Sequence, residues 1–302
     1  MNGGKTKIIA AFAAVYILWG STYLAIRFAI ETLPPFLMSG VRFVIAGGLL
    51  FGFMAMKGEK CPTSRQWRST VIIGGLLLLG GNGGVVYAEE RGVASGLTAL
   101  LVATVPIWMA LLDWKSRGRL NPGAWVSAGL ALGFAGVALL VLQNGVVAVH
   151  IDPVGLASLV AASVAWAYGS IWARTADLPR SSLQTTGMQL LMGGLWLCIA
   201  GLLKGEAAHV EAAEWSLRSV GAFFYLIFFG SIIGYSAYVY ILKMSTPAKA
   251  GTYAYINPAI AVFLGWALAG EKVTGVTILA AMIIIFSVAL ITIRPREAPA
   301  RE

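Results

Sequence analysis

The chain has 302 residues, of which 58% are hydrophobic and 12% are charged, and its mean hydropathy is +0.80. Soluble domains carry about 25% charged residues, so this composition excludes an ordinary water-soluble protein and indicates one that is embedded in a lipid bilayer. Two cysteines without a CxxC spacing exclude a disulfide framework, and two isolated histidines, His150 and His209, argue against a metal centre, so we expect no cofactor.

The hydropathy pattern predicts an all-α membrane protein with ten transmembrane helices, because each apolar run suits a hydrocarbon core of about 30 Å. The first run follows Lys5 and Lys7 as in a signal peptide, but it continues past any plausible cleavage point, so we expect a retained helix. The ten predicted spans are 8–30, 35–56, 70–88, 94–114, 125–142, 155–172, 183–203, 220–242, 248–269 and 273–293.

The distribution of basic residues predicts the orientation of these helices. Sixteen of the 22 lysines and arginines lie in the two termini or in the loops that follow the even-numbered helices, whereas the opposite loops hold only Arg91, Lys204, Arg218 and Lys272. By the positive-inside rule, both termini lie in the cytoplasm, which for a bacterial-type protein places the chain in the inner membrane. The net charge of +9 therefore reflects membrane orientation, and no nucleic-acid partner is expected.

The second half of the sequence repeats landmarks of the first half. Segment 19–27 recurs as segment 166–174, each with a tryptophan at its start and an arginine at its end, and Lys-Gly-Glu at 57–59 recurs at 204–206. Chance apolar similarity explains shared leucine and alanine but not this order of rarer residues. We therefore predict two repeats of five helices, 1–148 and 149–302. Because five is an odd number, the second repeat enters the membrane from the other side, and the repeats are inverted.

Several motifs resemble those of a known transporter family. They are Leu-Trp-Gly-Ser-Thr-Tyr at 18–23, Pro-Pro and Val-Arg-Phe within 34–43, Ala-Thr-Val-Pro at 103–106, the asparagine-proline segment 255–265, and Gly-Glu at 270–271. With ten helices in two halves, the chain resembles the EamA-type branch of the drug/metabolite transporter superfamily, and it is most similar to the YedA-like and YddG-like exporters. One departure is that Arg117 and Arg119 occupy the region after the fourth helix where the second half has Glu271.

This resemblance implies a secondary transporter with a central path between the third, fourth, eighth and ninth helices. Relatives of this kind export amino acids, sugars, amines or drugs. We expect export of small amphipathic metabolites, with amino acids, including aromatic ones, as the first class to test. A multidrug or sugar-type transporter of the same fold is the alternative, followed by a channel or scaffold.

The eighth and ninth predicted helices carry most of the substrate-path candidates. Ser231, Tyr235 and Tyr238 share a helical face with the aromatic residues Phe224 and Phe228. Helical-packing aromatics are the alternative interpretation. The other path candidates are Tyr253, Asn257 and Pro258 on the ninth helix, Pro106 and Trp108 on the fourth, Asn82 on the third, and the repeated pair Trp19 and Trp166. Pro106 and Pro258 occupy corresponding places in the two repeats, where a broken helix often marks a binding site.

Charged residues inside the predicted spans are the second group of candidates, since charges in hydrocarbon are costly. Arg42 is predicted to lie about 10 Å deep, and Arg27 lies about one turn from the outer end of its helix. Glu31, Glu89 and Glu90 lie at the same outer level. A structural ion pair is one interpretation, and an anion clamp or switchable gate is the other. Glu89 also offers a carboxylate for proton coupling.

The sequence therefore predicts a transporter and not an enzyme, since it lacks paired histidines and acids in register. The expected partners are a small-molecule substrate, the lipid bilayer and protons as a coupling ion. No nucleotide-binding signature is present, and no oligomeric partner is required.

Overall fold

The fold is a bundle of membrane-length helices. The structure, a computed structural model, describes residues 2–93, 95–117, 123–142, 152–210, 214–269 and 274–292. The helices are α1 (Asn2–Ala29), α2 (Pro35–Met56), α3 (Ser64–Glu90), α4 (Ser95–Val102 and Val105–Arg117), α5 (Gly123–Leu142), α6 (Pro153–Trp172), α7 (Ser182–Leu203), α8 (Leu217–Met244), α9 (Pro247–Gly251 and Tyr253–Ala269) and α10 (Gly275–Thr292).

These helices confirm the predicted all-α membrane fold. Within the described ranges, nine helices are at least 18 residues long and apolar enough to cross a membrane, and the longer piece of α9 has 17 residues. Helix α3 begins at Ser64 and not at 70, because the Thr63 hydroxyl accepts from the Gln66 N–H while the Gln66 side chain accepts from the Thr63 N–H. This capping box starts the helix before its apolar run begins.

Corresponding helices of the two halves run antiparallel, which confirms the inverted arrangement. Helices α2 and α7 are in close contact, with Gly40 against Cys198 at one end and Gly47 against Leu191 nearer the other. Helices α5 and α10 pack in the same way along their lengths. Helix α1 lies against α8 and α9, and its counterpart α6 lies against α3 and α4. The predicted boundary between 148 and 149 lies outside the described residues.

The repeated Lys-Gly-Glu motif ends α2 and α7. Gly58 and Gly205 take positive φ values of 80° and 78°, which glycine adopts readily just after a helix. The Glu206 carboxylate accepts hydrogen bonds from the N–H groups of Phe36 and Leu37, at 3.2 and 2.8 Å. A carboxylate at this position compensates the unpaired donors and the positive dipole at the start of α2. This contact fastens the segment after α7, in the second half, onto the start of α2 in the first half.

Helices α4 and α9 are both broken, but only α4 is broken next to its proline. The break in α4 comes just before Pro106, whereas the break in α9 comes at Thr252 and leaves Pro258 inside the longer piece. The prediction that the two prolines mark corresponding breaks is therefore wrong for α9. Pro106 packs against Gly251, so the two breaks meet in space. A proline inside a helix removes one hydrogen bond, and the neighbouring helices hold the rest of the piece together.

Candidate functional site

A cavity of about 1050 Å³ lies between α1, α2, α3, α4, α6, α8 and α9. It reaches the exposed residues Glu31 and Arg218 at the end of the bundle where α1 ends and α2 begins. We call this the open end. At its other limit the cavity stops at Trp19, Trp166, Tyr235 and Tyr253, which form a floor near the middle of the bundle.

The floor is a cluster of five aromatic rings from four helices. The Trp19 ring lies 4.9 Å from the Tyr253 ring and 5.1 Å from the Tyr238 ring, centroid to centroid, and 5.8 Å from the ring of its repeat counterpart Trp166. The Trp19–Tyr253 and Tyr238–Tyr253 pairs meet edge to face, an arrangement that aromatic quadrupoles favour. Tyr235 completes the cluster. The floor is therefore rigid and apolar over most of its surface.

Hydrogen bonds fix the polar atoms of these rings. The Trp166 Nε1–H donates to the Tyr238 hydroxyl at 2.9 Å, and the Ser170 hydroxyl lies 2.7 Å from the same oxygen. The Trp19 Nε1–H donates to the Gly230 carbonyl at 3.1 Å. The Tyr235 hydroxyl donates to the Gln189 side-chain oxygen at 3.2 Å. Buried polar groups need such partners, so the network holds each ring in one orientation.

Each tryptophan of the floor fits against a glycine in the opposite half. A Cβ on Gly81 would lie 2.6 Å from the Trp166 ring, and a Cβ on Gly234 would lie 2.6 Å from the Trp19 Nε1 atom. Both glycines belong to π-helical segments, Gly75–Gly83 in α3 and Leu226–Tyr235 in α8. Such segments are rare and are frequent at functional sites. The two halves thus build the floor by the same contact, made once from each side.

The bundle is closed beneath the floor. The Arg174 Nη1 donates to the carbonyl of Leu242 at 3.0 Å and to that of Ser245, at the end of α8. The Tyr16 hydroxyl lies 2.6 Å from the Thr252 hydroxyl, which joins α1 to the break in α9. We call this region the closed end.

The acids of the open end do not pair with Arg42. Glu31 pairs with Arg218 at 3.7 Å, and Glu90 pairs with Lys204. The interpretation of Arg42 as the partner of Glu31, Glu89 or Glu90 in an ion pair is therefore wrong, because no salt bridge of the described residues joins Arg42 to any of these acids. Lys204 directly follows α7, and the end of α7 lies beside the start of α2 and the end of α3. Lys204 is therefore close enough to pair with Glu90.

Arg42 instead faces the cavity. It is 4% exposed, its guanidinium carbon lies 4.4 Å from the centroid of the Phe43 ring, and its Nε has no hydrogen-bond partner. No salt bridge within 4.0 Å joins it to an acid of the described residues. An uncompensated arginine costs at least about 2.5–3.5 kcal/mol in a membrane helix. The aromatic contact and access to the cavity offset part of this cost.

At the open end, an ion pair outside the membrane-spanning helices joins the segment after α3, in the first half, to the segment before α6, in the second half. The Arg91 guanidinium pairs with the Asp152 carboxylate, and this contact lowers the pKa of Asp152 below its ordinary value of 3.8. Asp152 also caps α6 by accepting from the Val154 N–H at 3.1 Å.

The structure gathers most of the predicted site residues around the cavity. Its wall includes Trp19, Arg42, Asn82, Glu89, Trp166, Ser231, Tyr235, Tyr253 and Asn257. Five candidates do not line the cavity, namely Tyr238 on the side of the floor that faces the closed end, Pro106 and Trp108 in α4, Pro258 in α9 and Glu90 at the surface. The side chain of Arg27 lies outside the described residues. Sequence reasoning placed neither Gly81 nor Gly234 at the site; the glycine run that contains Gly81 indicated only close contact between helices, and Gly234 was missed.

The predicted aromatic face of α8 is only half correct. Ser231, Tyr235 and Tyr238 are buried, but Phe224 and Phe228 are 53% and 49% exposed on the outside of the bundle. The spacing assumed a continuous α-helix. Because the π-helical segment from Leu226 to Tyr235 fits more residues into each turn, the residues on its two sides are rotated relative to one another.

Comparison with known proteins gives one consistent result. The model of the EamA-like transporter family matches the chain twice, over residues 6–142 and 153–293. The "Uncharacterized inner membrane transporter YedA" of Escherichia coli strain K12 is 38% identical over 294 residues, which cover 97% of this chain and 93% of that protein.

More distant matches also cover nearly the full length of the chain. The "Uncharacterized transporter YoaV" of Bacillus subtilis strain 168 is 25% identical over 281 residues, 92% of this chain and 94% of that protein. A solved crystal structure superimposes with a TM-score of 0.75 at 19% identity, over 95% of this chain and 97% of that one. The latter likeness shows the fold alone.

Proposed function

The chain belongs to the EamA-like transporter family, and from this premise we propose that it exports small amphipathic metabolites, with amino acids as the first class. The observation that supports this proposal is the cavity of about 1050 Å³ with its aromatic floor and its polar wall. Pockets for small molecules have volumes of about 300–1,000 Å³ and combine apolar walls with a few placed polar groups. An amino acid has this division between apolar side chain and charged head group.

The inverted repeat supports transport by alternating access. In such proteins the substrate site lies near the membrane midplane between the repeats, and the halves rock around it. Here Trp19 and Trp166 meet at the floor, at the contact between the halves. With both termini in the cytoplasm, as we propose, the open end faces outward and the structure represents a state that releases substrate. We further propose that the chain resides in the inner membrane and acts without an oligomeric partner.

The chemistry of the cavity supports a transporter over an enzyme or a channel. The described residues of its wall include no histidine and no cysteine, so no nucleophile with an adjacent imidazole base lines it. The aromatic floor separates the cavity from the closed end, which a channel would not require. We propose protons as the coupling ion, with Glu89 as the titrating carboxylate, because it lines the cavity outside any ion pair found within the described residues.

Flux in proteoliposomes tests this proposal. Purified protein is reconstituted and assayed by counterflow against a panel of amino acids, amines, sugars and cationic drugs, with and without a pH gradient. We expect saturable counterflow of an amino acid that responds to the gradient. Saturable flux of drugs or sugars without amino-acid flux would refute the substrate class, and unsaturable leakage would indicate a channel.

A matched pair of variants on α8 links the flux to the cavity. Tyr235→Ala removes a ring from the floor and should lower flux about fivefold or more, since a buried aromatic contact is worth roughly 1 kcal/mol or more. Phe224→Ala removes a ring of similar size from the exposed side of the same helix and should leave flux near the wild-type value. Equal effects of the two substitutions would show that the floor does not bind substrate.

A further inference from the structure

Two charged side chains of opposite sign face the cavity without pairing with each other or with a neighbour. Arg42 is buried, and its Nε has no hydrogen-bond partner. Glu89 lines the same cavity and is half-buried. Among the described residues no salt bridge involves either of them, whereas Glu31 and Glu90 each hold a basic partner. The guanidinium and the carboxylate are therefore more than 4.0 Å apart, and both residues line the cavity.

Helices α2 and α3 run in opposite directions, and this makes the side chains of Arg42 and Glu89 lean toward the same depth in the bundle. Helix α2 begins at the open end and α3 ends there, because Lys204 and Glu206 join the start of α2 to the end of α3. Side chains tilt toward the start of their own helix. Arg42 therefore leans toward the open end, and Glu89 leans toward the floor.

The polar groups around this gap suit a small polar head group. Asn82 lies two turns below Glu89 on α3 and lines the cavity, and its Oδ1 is buried without a hydrogen-bond partner. Asn257, on α9, also lines the cavity; it is 2% exposed, and its Oδ1 is likewise buried without a hydrogen-bond partner. Buried polar atoms without partners are rare in proteins, and several around one cavity indicate a place for a ligand.

We propose that Arg42 and Glu89 together bind the head group of a zwitterionic substrate, with its carboxylate on Arg42 and its ammonium group on Glu89. Guanidinium groups bind carboxylates through two parallel hydrogen bonds, and a carboxylate accepts from an ammonium group in the same charge-assisted way. This inference rests on the proposed function and specifies the orientation of the substrate. The head group points to the open end, and the apolar side chain rests on Trp19, Tyr235 and Tyr253.

In this orientation a single zwitterionic substrate neutralises both Arg42 and Glu89. A lone anion on Arg42 would leave Glu89 unneutralised, and a lone cation on Glu89 would do the same to Arg42. An uncompensated charge in a water-poor site is costly, so the pair discriminates against both. The ammonium group and a proton would also compete for Glu89, which links head-group binding to the proposed proton coupling.

Three solutes with one ring and different head groups test the inference. L-Phenylalanine, phenethylamine and 3-phenylpropanoate are assayed by counterflow in proteoliposomes of the full chain, with monodisperse elution as the measure of folding. We expect the wild type to prefer L-phenylalanine over both others by at least about tenfold, the cost of losing a charge-assisted contact. Arg42→Gln should abolish the preference for L-phenylalanine over phenethylamine, and Glu89→Gln should abolish its preference over 3-phenylpropanoate.

Matched controls separate these effects from a general loss of charge. Lys57→Gln removes a cation that also lies over a ring on α2, 5.4 Å from the Phe53 centroid, but outside the cavity. Glu90→Gln removes the acid next to Glu89, which pairs with Lys204 and does not line the cavity. Both controls should keep the wild-type order of the three solutes. If Arg42→Gln fails to fold, Arg42→Lys keeps a cation without the two-pronged geometry and should retain the order with weaker preference.

The outcomes distinguish this inference from the proposed function. If the wild type moves L-phenylalanine but Arg42→Gln and Glu89→Gln lower the flux of all three solutes equally, the two residues act as a gate or a structural pair. The inference then fails while the transport function stands. If the wild type moves none of the three solutes or any other amino acid of the panel, the proposed function fails and the inference fails with it.

Discussion

Arg174→Ala is expected to open the end of the bundle that is closed in this structure. Its guanidinium joins the end of α6 to the last carbonyls of α8 through Leu242 and Ser245. We expect these contacts to break when the closed end opens, because α6 packs with α3 and α4 whereas α8 packs with α1, so the two helices lie in different packing groups although both belong to the second repeat. Removing them therefore destabilises this state selectively.

The size of the effect follows from the kind of contact that is lost. Hydrogen bonds from a charged donor contribute about 1.5–3 kcal/mol each, and both carbonyls share one nitrogen of a partly buried side chain, so one such contribution is the reasonable total. A difference of this size changes the ratio of two conformations by roughly ten- to a hundredfold.

Cysteine modification measures this change directly. In a background without Cys61 and Cys198, Ala250→Cys places a thiol in the core of the closed end, where Ala250 is 2% exposed. We expect Arg174→Ala to raise the rate of maleimide modification about ten- to a hundredfold, in proportion to the open population. Arg65→Gln is the control, since Arg65 makes an exposed contact to Asp177 at 3.8 Å and should change the rate little. An unchanged rate in folded Arg174→Ala protein would refute the role of Arg174 as a latch.

Three further predictions concern the floor, the open end and the orientation. Tyr238→Phe leaves the Trp166 Nε1–H without its acceptor and should lower the free energy of unfolding by about 1–3 kcal/mol, as measured by thermal denaturation in detergent. Because Arg91 lowers the pKa of Asp152, their contact stabilises the protein above about pH 4 and is lost as the pH falls through the lowered value. The melting temperature of Asp152→Asn, which keeps a capping side chain, should therefore fall below that of the wild type at pH 6 and converge with it in acid. Cys61 is exposed in the loop before α3 and should react with an impermeant maleimide only after cells are permeabilised; reaction in sealed cells would reverse the proposed orientation.

The sequence by itself determined the helices, their ends and their repetition. Hydropathy and capping are local properties, so the apolar run from Pro35 to Met56 and the stop at Gly58 are both visible in the sequence. The odd number of helices in each repeat required the antiparallel pairing that Gly40 and Gly47 make with α7. Trp19 and Trp166 were also recognisable as counterparts, and they do meet at the floor.

The tertiary structure alone decided which charges pair and which side chains face the cavity. Ion pairing depends on distances between helices, which no spacing along one helix gives, and so Glu31 and Glu90 were wrongly predicted as partners of Arg42. The exposure of Phe224 depends on a π-helical segment, which also contains Gly234 at its contact with Trp19, and no periodicity in the sequence predicts such a segment. Which end of the path is open is a property of one conformation of the whole bundle, because under the alternating access that we propose the same sequence must adopt both an outward-open and an inward-open form.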